Sequence, residues 1–397
     1  MCDDYKMNNP DANFHYELYR RMISDMNISF TKLGHEECDF CMKFEHHHPE
    51  HNEKNLCPSC DMCIKWVAHM KRAEIARDLY RIDAQSSKSV SEKDNPSTKF
   101  FCADMQKVIM LPHIPSSKTT LFTQRIVAFH LSVVPLGQLS SSSKKPFAVV
   151  WHEGVAGRKA EDIASAYHSF FMSERDVKTI IIWLDNCTAQ NKNWTFISSL
   201  VELINSDVVE TDLIELNYFE PGHTFMSADS FHHQVELSMK KMKNAYDFHD
   251  FEMAVQNANS GNVIVKPLNY LDFKIWKDFS STSRLSKVKD RHHLSEMKKI
   301  QFRRGEHKIF FTVDYAERGR EIFHELDFLQ IRVINKGFPP AAPRLQPRGI
   351  PLKKKEDIIK KLLPLMPQSR RSFWLNIETS DVPDLAQNYD NGEIELL

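Results

Sequence analysis

Residues 177–194 read VKTIIIWLDNCTAQNKNW. The apolar run from Ile180 to Leu184 is unbroken, which is the pattern of a strand buried on both faces rather than one face. It ends on a carboxylate, Asp185, and passes at once into a turn carrying Asn186, Gln190, Asn191 and Lys192. The C-terminal end of such a strand is where open α/β sheets present ligands. A carboxylate held there on a rigid element is suited to holding a cation, and the polar turn is suited to contacting substrate or ordering the loop.

The flanking segments fit that reading. On the N-terminal side lie three strand candidates, FFCADMQKVIMLP (100–112), LFTQRIVAFHLSVVPL (121–136) and FAVVWHEG (147–154), then a helical EDIASAYHSFFMSE (161–174). On the C-terminal side follow a helix (194–206), a strand DLIELNYFEPGH (212–223) and the helix SADSFHHQVELSMKKMKNA (227–245). Strands first, then strand–helix–strand–helix, predict an α/β fold with a mixed sheet flanked by helices.

Composition bounds the rest. The chain has 397 residues, 42% hydrophobic and 26% charged, enough for a large core and appendages. A formal charge of -1 excludes a global field attracting nucleic acid, so any such binding must come from local patches. Eleven glycines, with no Gly-x-Gly-x-x-Gly and no Walker loop, argue against the common nucleotide folds. No apolar run approaches the length of a membrane span, and the polar N-terminus has no signal-peptide character, so a cytosolic or nuclear protein with reduced cysteines is expected.

Three aspartates fall where the predicted sheet gathers them: Asp104 inside the first strand, Asp185 at the end of a later one, and Asp229 opening the helix after the next. Carboxylates brought together repel unless a cation lies between them, and Mg²⁺ takes oxygen ligands of this kind. Glu236 and His233 lie seven and four residues beyond Asp229, on one helical face with it, so either acid can complete the set; His223 lies just before the helix. Each residue taken singly has a plainer reading, as a turn former or helix cap.

The order of these elements resembles the ribonuclease H-like fold of transposases and integrases with a D-D-D/E triad. ADMQKVIMLP, WLDNCTAQNKNW, PGHTFMSADSFHHQVE and GIPLKKKEDIIKKLLPLMP look like an uncharacterised family of transposon-derived proteins with an Asp-Asn-Cys-x-x-Gln-Asn-Lys-Asn signature. The resemblance implies a polynucleotidyl transferase or nuclease acting on DNA in the nucleus with two Mg²⁺ (or Mn²⁺) ions. It carries the catalytic role to Asp104, Asp185 and either Asp229 or Glu236.

Five of the eight cysteines fall between 38 and 63. Cys38-x2-Cys41 and Cys57-x2-Cys60 have the spacing of a structural Zn²⁺ site; Cys63 and His69 are alternative ligands, and His46, His47, His48 and His51 lie between the pairs. A basic run, 284–308, carries Arg284, Lys287, Lys289, Arg291, Lys298, Lys299, Arg303, Arg304 and Lys308, a candidate DNA-binding stretch whose plain alternative is a solvated face. Lys353, Lys354, Lys355, Lys360 and Lys361 lie on one amphipathic helix and read as its charged outer face.

The expected organisation is a helical lead-in with the zinc module (1–85), a linker (86–98), the ribonuclease H-like core (99–250), a basic α+β region (251–335), a Pro-rich linker with a C-terminal helix (336–380) and an acidic disordered tail (381–397). Partners expected are DNA and, as a further option, other copies of the chain, with no membrane. The alternative function is a non-enzymatic nuclear DNA- or protein-binding factor descended from such an enzyme, its metal site idle.

Overall fold

The computed structural model describes residues 18, 21–22, 38–90, 97–137, 145–285, 292–339 and 341–385. The chain divides into two compact units, Met1–Trp66 and Val67–Leu397. Most of the expected N-terminal lead-in, part of the 86–98 linker, and Lys287, Lys289 and Arg291 lie outside the described residues.

In the first unit, helix α1 (Asp39–His46) starts at Cys38, and helix α2 (Asp61–Val90) begins just after Cys60. Phe44 is buried and stacks on Trp66 with ring centroids 4.2 Å apart. The later part of α2 belongs to the second unit and extends to Val90, so residues 86–90 are helix rather than linker.

The second unit is built on ten strands: β1 (Thr98–Met105), β2 (Ile109–Leu111), β3 (Ile126–Pro135), β4 (Phe147–His152), β5 (Thr179–Leu184), β6 (Leu213–Tyr218), β7 (Ile264–Pro267), β8 (Lys299–Arg303), β9 (Ile309–Thr312) and β10 (His324–Leu326). They form one mixed sheet in the order β10-β9-β8-β6-β5-β1-β3-β4-β7, with β2 pairing β3 off that path. β1, β5 and β6 are mutually parallel neighbours, and β3 runs antiparallel between β1 and β4.

Six helices complete the frame of the sheet: α3 (Ala160–Ser173), α4 (Trp194–Asn205), α5 (Ser227–Met242), α6 (Phe248–Gln256), α7 (Trp276–Ser283) and α8 (Leu352–Lys361), with the short α9 (Arg371–Asn376) beside α8. Strand alternation divides the core. Phe101, Ala103, Ile180, Ile182 and Leu184 share one apolar cluster with residues of α3 and α4. Phe100, Cys102, Ile181 and Trp183 share the other with Ala228, Phe231 and Val235 of α5. Burial on both faces explains why the 177–194 stretch reads as a continuous apolar run.

Three expectations are corrected here. The stretch KKIQFRR is not an open basic segment but strand β8, paired antiparallel with β6, its Ile300 and Phe302 buried. Lys354 is not on an outer face; it is fully buried, with Nζ paired to Glu153 Oε1 and Asp384 Oδ1. The first residues of the acidic tail are therefore docked as far as that contact, not disordered.

Candidate metal centres

β1 and β5 run parallel, with Cys102 opposite Trp183. Asp104 lies two residues further along β1 and Asp185 immediately follows β5, so both come to the same end of the parallel pair. α5 follows β6, and Asp229 lies in its first turn, where its Oδ2 accepts the Met226 backbone N–H at 2.8 Å. The capping role and the cluster role thus coexist in one carboxylate. One turn on, His232 is buried, with Nε2 2.7 Å from Ser132 Oγ and Nδ1 3.8 Å from Asp104 Oδ2. Asp104, Asp229 and His232 each offer a donor atom, all within 4.8 Å of one another.

Burial pushes the Asp185 carboxyl above the ordinary carboxylate range; it does the same to Asp229, where the Asp185 charge adds to the effect. Among the described residues no Lys or Arg stands within ion-pair distance of Asp185 or Asp229; the charges of Arg158 and Lys192 reach Asp185 and that of Arg77 reaches Asp229 only from further off. Burial lowers His232 to about 3, so the ring is neutral. The sequence reading singled out His233 and Glu236; these instead face each other on the outer side of α5, 3.8 Å apart, with His233 largely exposed. His232 was missed because one turn of helix offers two adjacent histidines, and only the packing of α5 tells which points inward.

The signature loop after Asp185 is held by its own side chains. The Cys187 N–H (3.1 Å) and Asn191 Nδ2 both donate to Asp185 Oδ1. Asn191 is buried; its Oδ1 accepts the Tyr167 hydroxyl at 3.1 Å, and its carbonyl accepts that of Tyr218 at 2.9 Å. Asn186 Nδ2 donates to the Phe219 carbonyl. Lys192 is buried, donates to Asn186 Oδ1 and to the Met297 carbonyl (2.7 Å), and lies over the Tyr218 ring; burial, with Lys298 nearby, lowers it to about 7. Asn193 caps α4 by accepting the Phe196 N–H at 2.9 Å. Of the two roles the sequence left open, these bonds are those of loop ordering. Asn191→Ala would leave the Tyr167 hydroxyl and one Asp185 bond unmade in a buried place. Urea denaturation is expected to show a loss of about 2–3 kcal/mol, whereas a solvated loop residue would cost almost nothing.

His223 faces His69, with their Nε2 atoms 3.0 Å apart, and His69 Nδ1 lies 3.1 Å from Glu220 Oε1. Burial alone would raise Glu220, but the hydrogen bonds and charges of Arg72 and Lys298 hold it at about 2.

Most described cations of the basic run are occupied. Lys298 pairs with Glu220 at 3.0 Å, and Lys299 is buried between Glu321 (2.8 Å) and Glu215 (3.4 Å). Arg303 stacks on Phe310 and donates to Gln301 Oε1. Arg304 donates to the carbonyls of Thr211, Ser206 and Val209. Arg284 donates to the Ser280 carbonyl and lies over Trp194, and Lys308 pairs with Glu325. The expected phosphate-binding stretch is thus largely internal: a strand needs its flanking charges paired once it enters a sheet.

The second candidate centre lies in the first unit. His47 Nε2, His51 Nδ1 and the thiols of Cys60 and Cys63 converge within 4.8 Å of one another. His47 Nε2 is 3.1 Å from His51 Nδ1 and 3.6 and 3.7 Å from Cys60 and Cys63 Sγ; Cys63 Sγ is 3.6 Å from His51 Nδ1. Zinc bond lengths of about 2.3 Å to sulfur and about 2.05 Å to nitrogen put tetrahedral neighbours about 3.3 Å (N to N) and about 3.6 Å (N to S) apart. These four donor–donor distances therefore match the spacing of tetrahedral zinc ligands. His47 Nδ1 donates to the Phe44 carbonyl, which fixes the tautomer and leaves Nε2 for metal.

The Cys60–Cys63 pair is a second C-x2-C that overlaps Cys57–Cys60, and its partners in this group are His47 and His51. Cys57 stands outside the group, with Sγ 3.2 Å from Ser59 Oγ. Cys38 and Cys41 sit one turn apart at the start of α1, where burial and the Cys38 thiol push Cys41 up to about 11. His69 belongs to the Glu220 group described above.

Residues 162–314 match the family described as a domain of unknown function, DUF7869. That span holds Asp185, Asp229 and His232 and leaves out Asp104 and the Cys/His unit. No curated protein and no solved structure matches the chain.

Proposed function

We propose that the second unit is a ribonuclease H-like polynucleotidyl transferase or nuclease that acts on DNA phosphodiesters at Asp104 and Asp229, whose donor atoms lie within 4.8 Å of one another, with Asp185 close enough for its charge to act on Asp229. The observation that carries this reading is the sheet order β4-β3-β1-β5-β6 with acids on β1, just after β5 and in the first turn of the helix after β6. A triad of that fold needs those three places. The donor set fits divalent ions: half-buried carboxylates, raised pKa values at Asp185 and Asp229 and, among the described residues, no cationic side chain in ion-pair contact with either. Two Mg²⁺ or Mn²⁺ ions held there would activate the attacking oxygen and stabilise the leaving one. The chain itself contributes rigidity: β1 and β5 fix two carboxylates, and Asn191 with the Cys187 N–H orients Asp185.

The Cys60–Cys63–His47–His51 group is read as a structural zinc site, since four protein ligands leave no open position. A second reading is a nuclear DNA- or protein-binding factor with an idle site; the internal pairing of Lys298, Lys299 and Arg304 weighs toward the protein-binding form of it. The deciding experiment incubates zinc-loaded full-length protein with single- and double-stranded DNA, with and without added Mg²⁺ or Mn²⁺. Metal-dependent nicking is expected. Intact DNA under every metal condition would discard the enzyme reading in favour of the binding factor.

A further inference from the structure

His232 holds a place in the cluster that a purely carboxylate site would not need. Its side chain is 10% exposed, and its hydrogen bonding can be traced atom by atom. Ser132 Oγ lies 3.2 Å from the Asp104 carbonyl, which can only accept, so the hydroxyl proton goes there. Ser132 Oγ is then the acceptor for His232 Nε2–H at 2.7 Å. The remaining ring nitrogen, Nδ1, carries a lone pair. It makes no hydrogen bond, and it points at Asp104 Oδ2 from 3.8 Å. The helix backbone at this residue is fixed as well, because Gln106 Nε2 donates to the His232 carbonyl at 3.3 Å.

The lone pair of a neutral imidazole and two carboxylates therefore face one another within 4.8 Å. A cation placed between them would offset the mutual repulsion of these acceptors. The Ser132 bond to the far nitrogen is the usual outer-shell device that fixes a ligating histidine. An imidazole nitrogen also changes which ion is preferred. Mg²⁺ is a hard ion that seeks oxygen, whereas first-row transition ions take imidazole readily, and among them Mn²⁺ best tolerates a carboxylate-rich set.

We propose that Asp104, Asp229 and His232 Nδ1 together form a transition-metal position that selects Mn²⁺ over Mg²⁺. The inference rests on the reading of the cluster as a divalent-ion site, but not on any reaction taking place there.

The test uses full-length protein with its N-terminal centre filled with zinc. Mn²⁺ is titrated with electron paramagnetic resonance detection, alone and against Mg²⁺, and the bound ion is probed by electron spin-echo modulation. Expected are a ¹⁴N modulation from a directly bound imidazole and at least about tenfold preference for Mn²⁺. His232→Gln should abolish the modulation and lower Mn²⁺ affinity about 10- to 100-fold with a smaller effect on Mg²⁺, while the exposed neighbour variant His233→Gln should change neither.

Bound Mn²⁺ without nitrogen modulation in the wild-type protein would overturn the proposal, and that measurement needs no variant to fold. An unchanged Mn²⁺/Mg²⁺ ratio in folded His232→Gln would also overturn it. Nitrogen-ligated Mn²⁺ without DNA cleavage would uphold this inference and count against the enzyme. Cleavage with an oxygen-only ion would do the reverse, and absence of any bound ion would remove both.

Discussion

Asp185→Asn is expected to lower metal-dependent DNA cleavage by about 10³-fold or more, corresponding to roughly 4 kcal/mol of transition-state stabilisation. The substitution keeps the shape and the bonds from Cys187 and Asn191, since an amide oxygen can still accept both. It removes one of the charges that burial disfavours. The sign follows from the raised carboxyls of Asp185 and Asp229. A group whose folded pKa lies above its unfolded value holds its proton more tightly in the native state. Its contribution therefore favours folding at acid pH and is lost as pH rises above the ordinary carboxylate range.

Zinc-loaded protein without added Mg²⁺ or Mn²⁺ should accordingly melt no lower as Asp185→Asn than as wild type at pH 7.5, and the two should converge near pH 4. Added Mg²⁺ or Mn²⁺ should raise the melting temperature of wild type more than that of the variant, since only an ion bound to the native state stabilises it. Thermal melts at the two pH values, with and without the ions, read this directly. An equal response of both proteins would reduce Asp185 to a turn residue.

Cys63→Ser is expected to release about one zinc per chain and to unfold the first unit, whereas Cys57→Ser should keep the metal. The contrast follows from geometry, because Cys63 lies 3.6–3.7 Å from both histidine donors and Cys57 lies outside the group. Structural zinc contributes on the order of 10 kcal/mol to folding of small modules. Among the described residues of the unit, the Phe44–Trp66 stack is the main apolar contact beside the metal group. Elemental analysis gives the stoichiometry, and near-ultraviolet circular dichroism reports the loss of packing around Trp66. Zinc retained by Cys63→Ser and lost from Cys57→Ser would restore the four-cysteine assignment.

The sequence by itself determined the elements whose periodicity is strong and whose chemistry is local. Residues 179–184 had to be a doubly buried strand because no polar residue interrupts Ile180–Leu184, and Asp185 had to lie at its end because the chain turns polar there. The presence of a Cys/His metal cluster was likewise legible from spacing.

What only tertiary structure decided were the choices between near-equivalent residues and the fate of charges. A step of one residue rotates a helix by about 100°, so whether His232 or His233 meets Asp104 depends on how α5 lies against β1 and β3. Two overlapping C-x2-C pairs differ by three residues, and chain folding set Cys60 and Cys63 against His47 and His51. The alternation of Ile300 and Phe302 was present in KKIQFRR, yet its cations concealed a strand; β6 and the carboxylates of Glu215 and Glu220 made it one. Lys354 could be placed on a surface from its neighbours alone, but Glu153 and Asp384, remote in the chain, take it inside. Outside the Cys/His group the deciding interactions join residues far apart in the chain, and such pairings leave no mark on local periodicity.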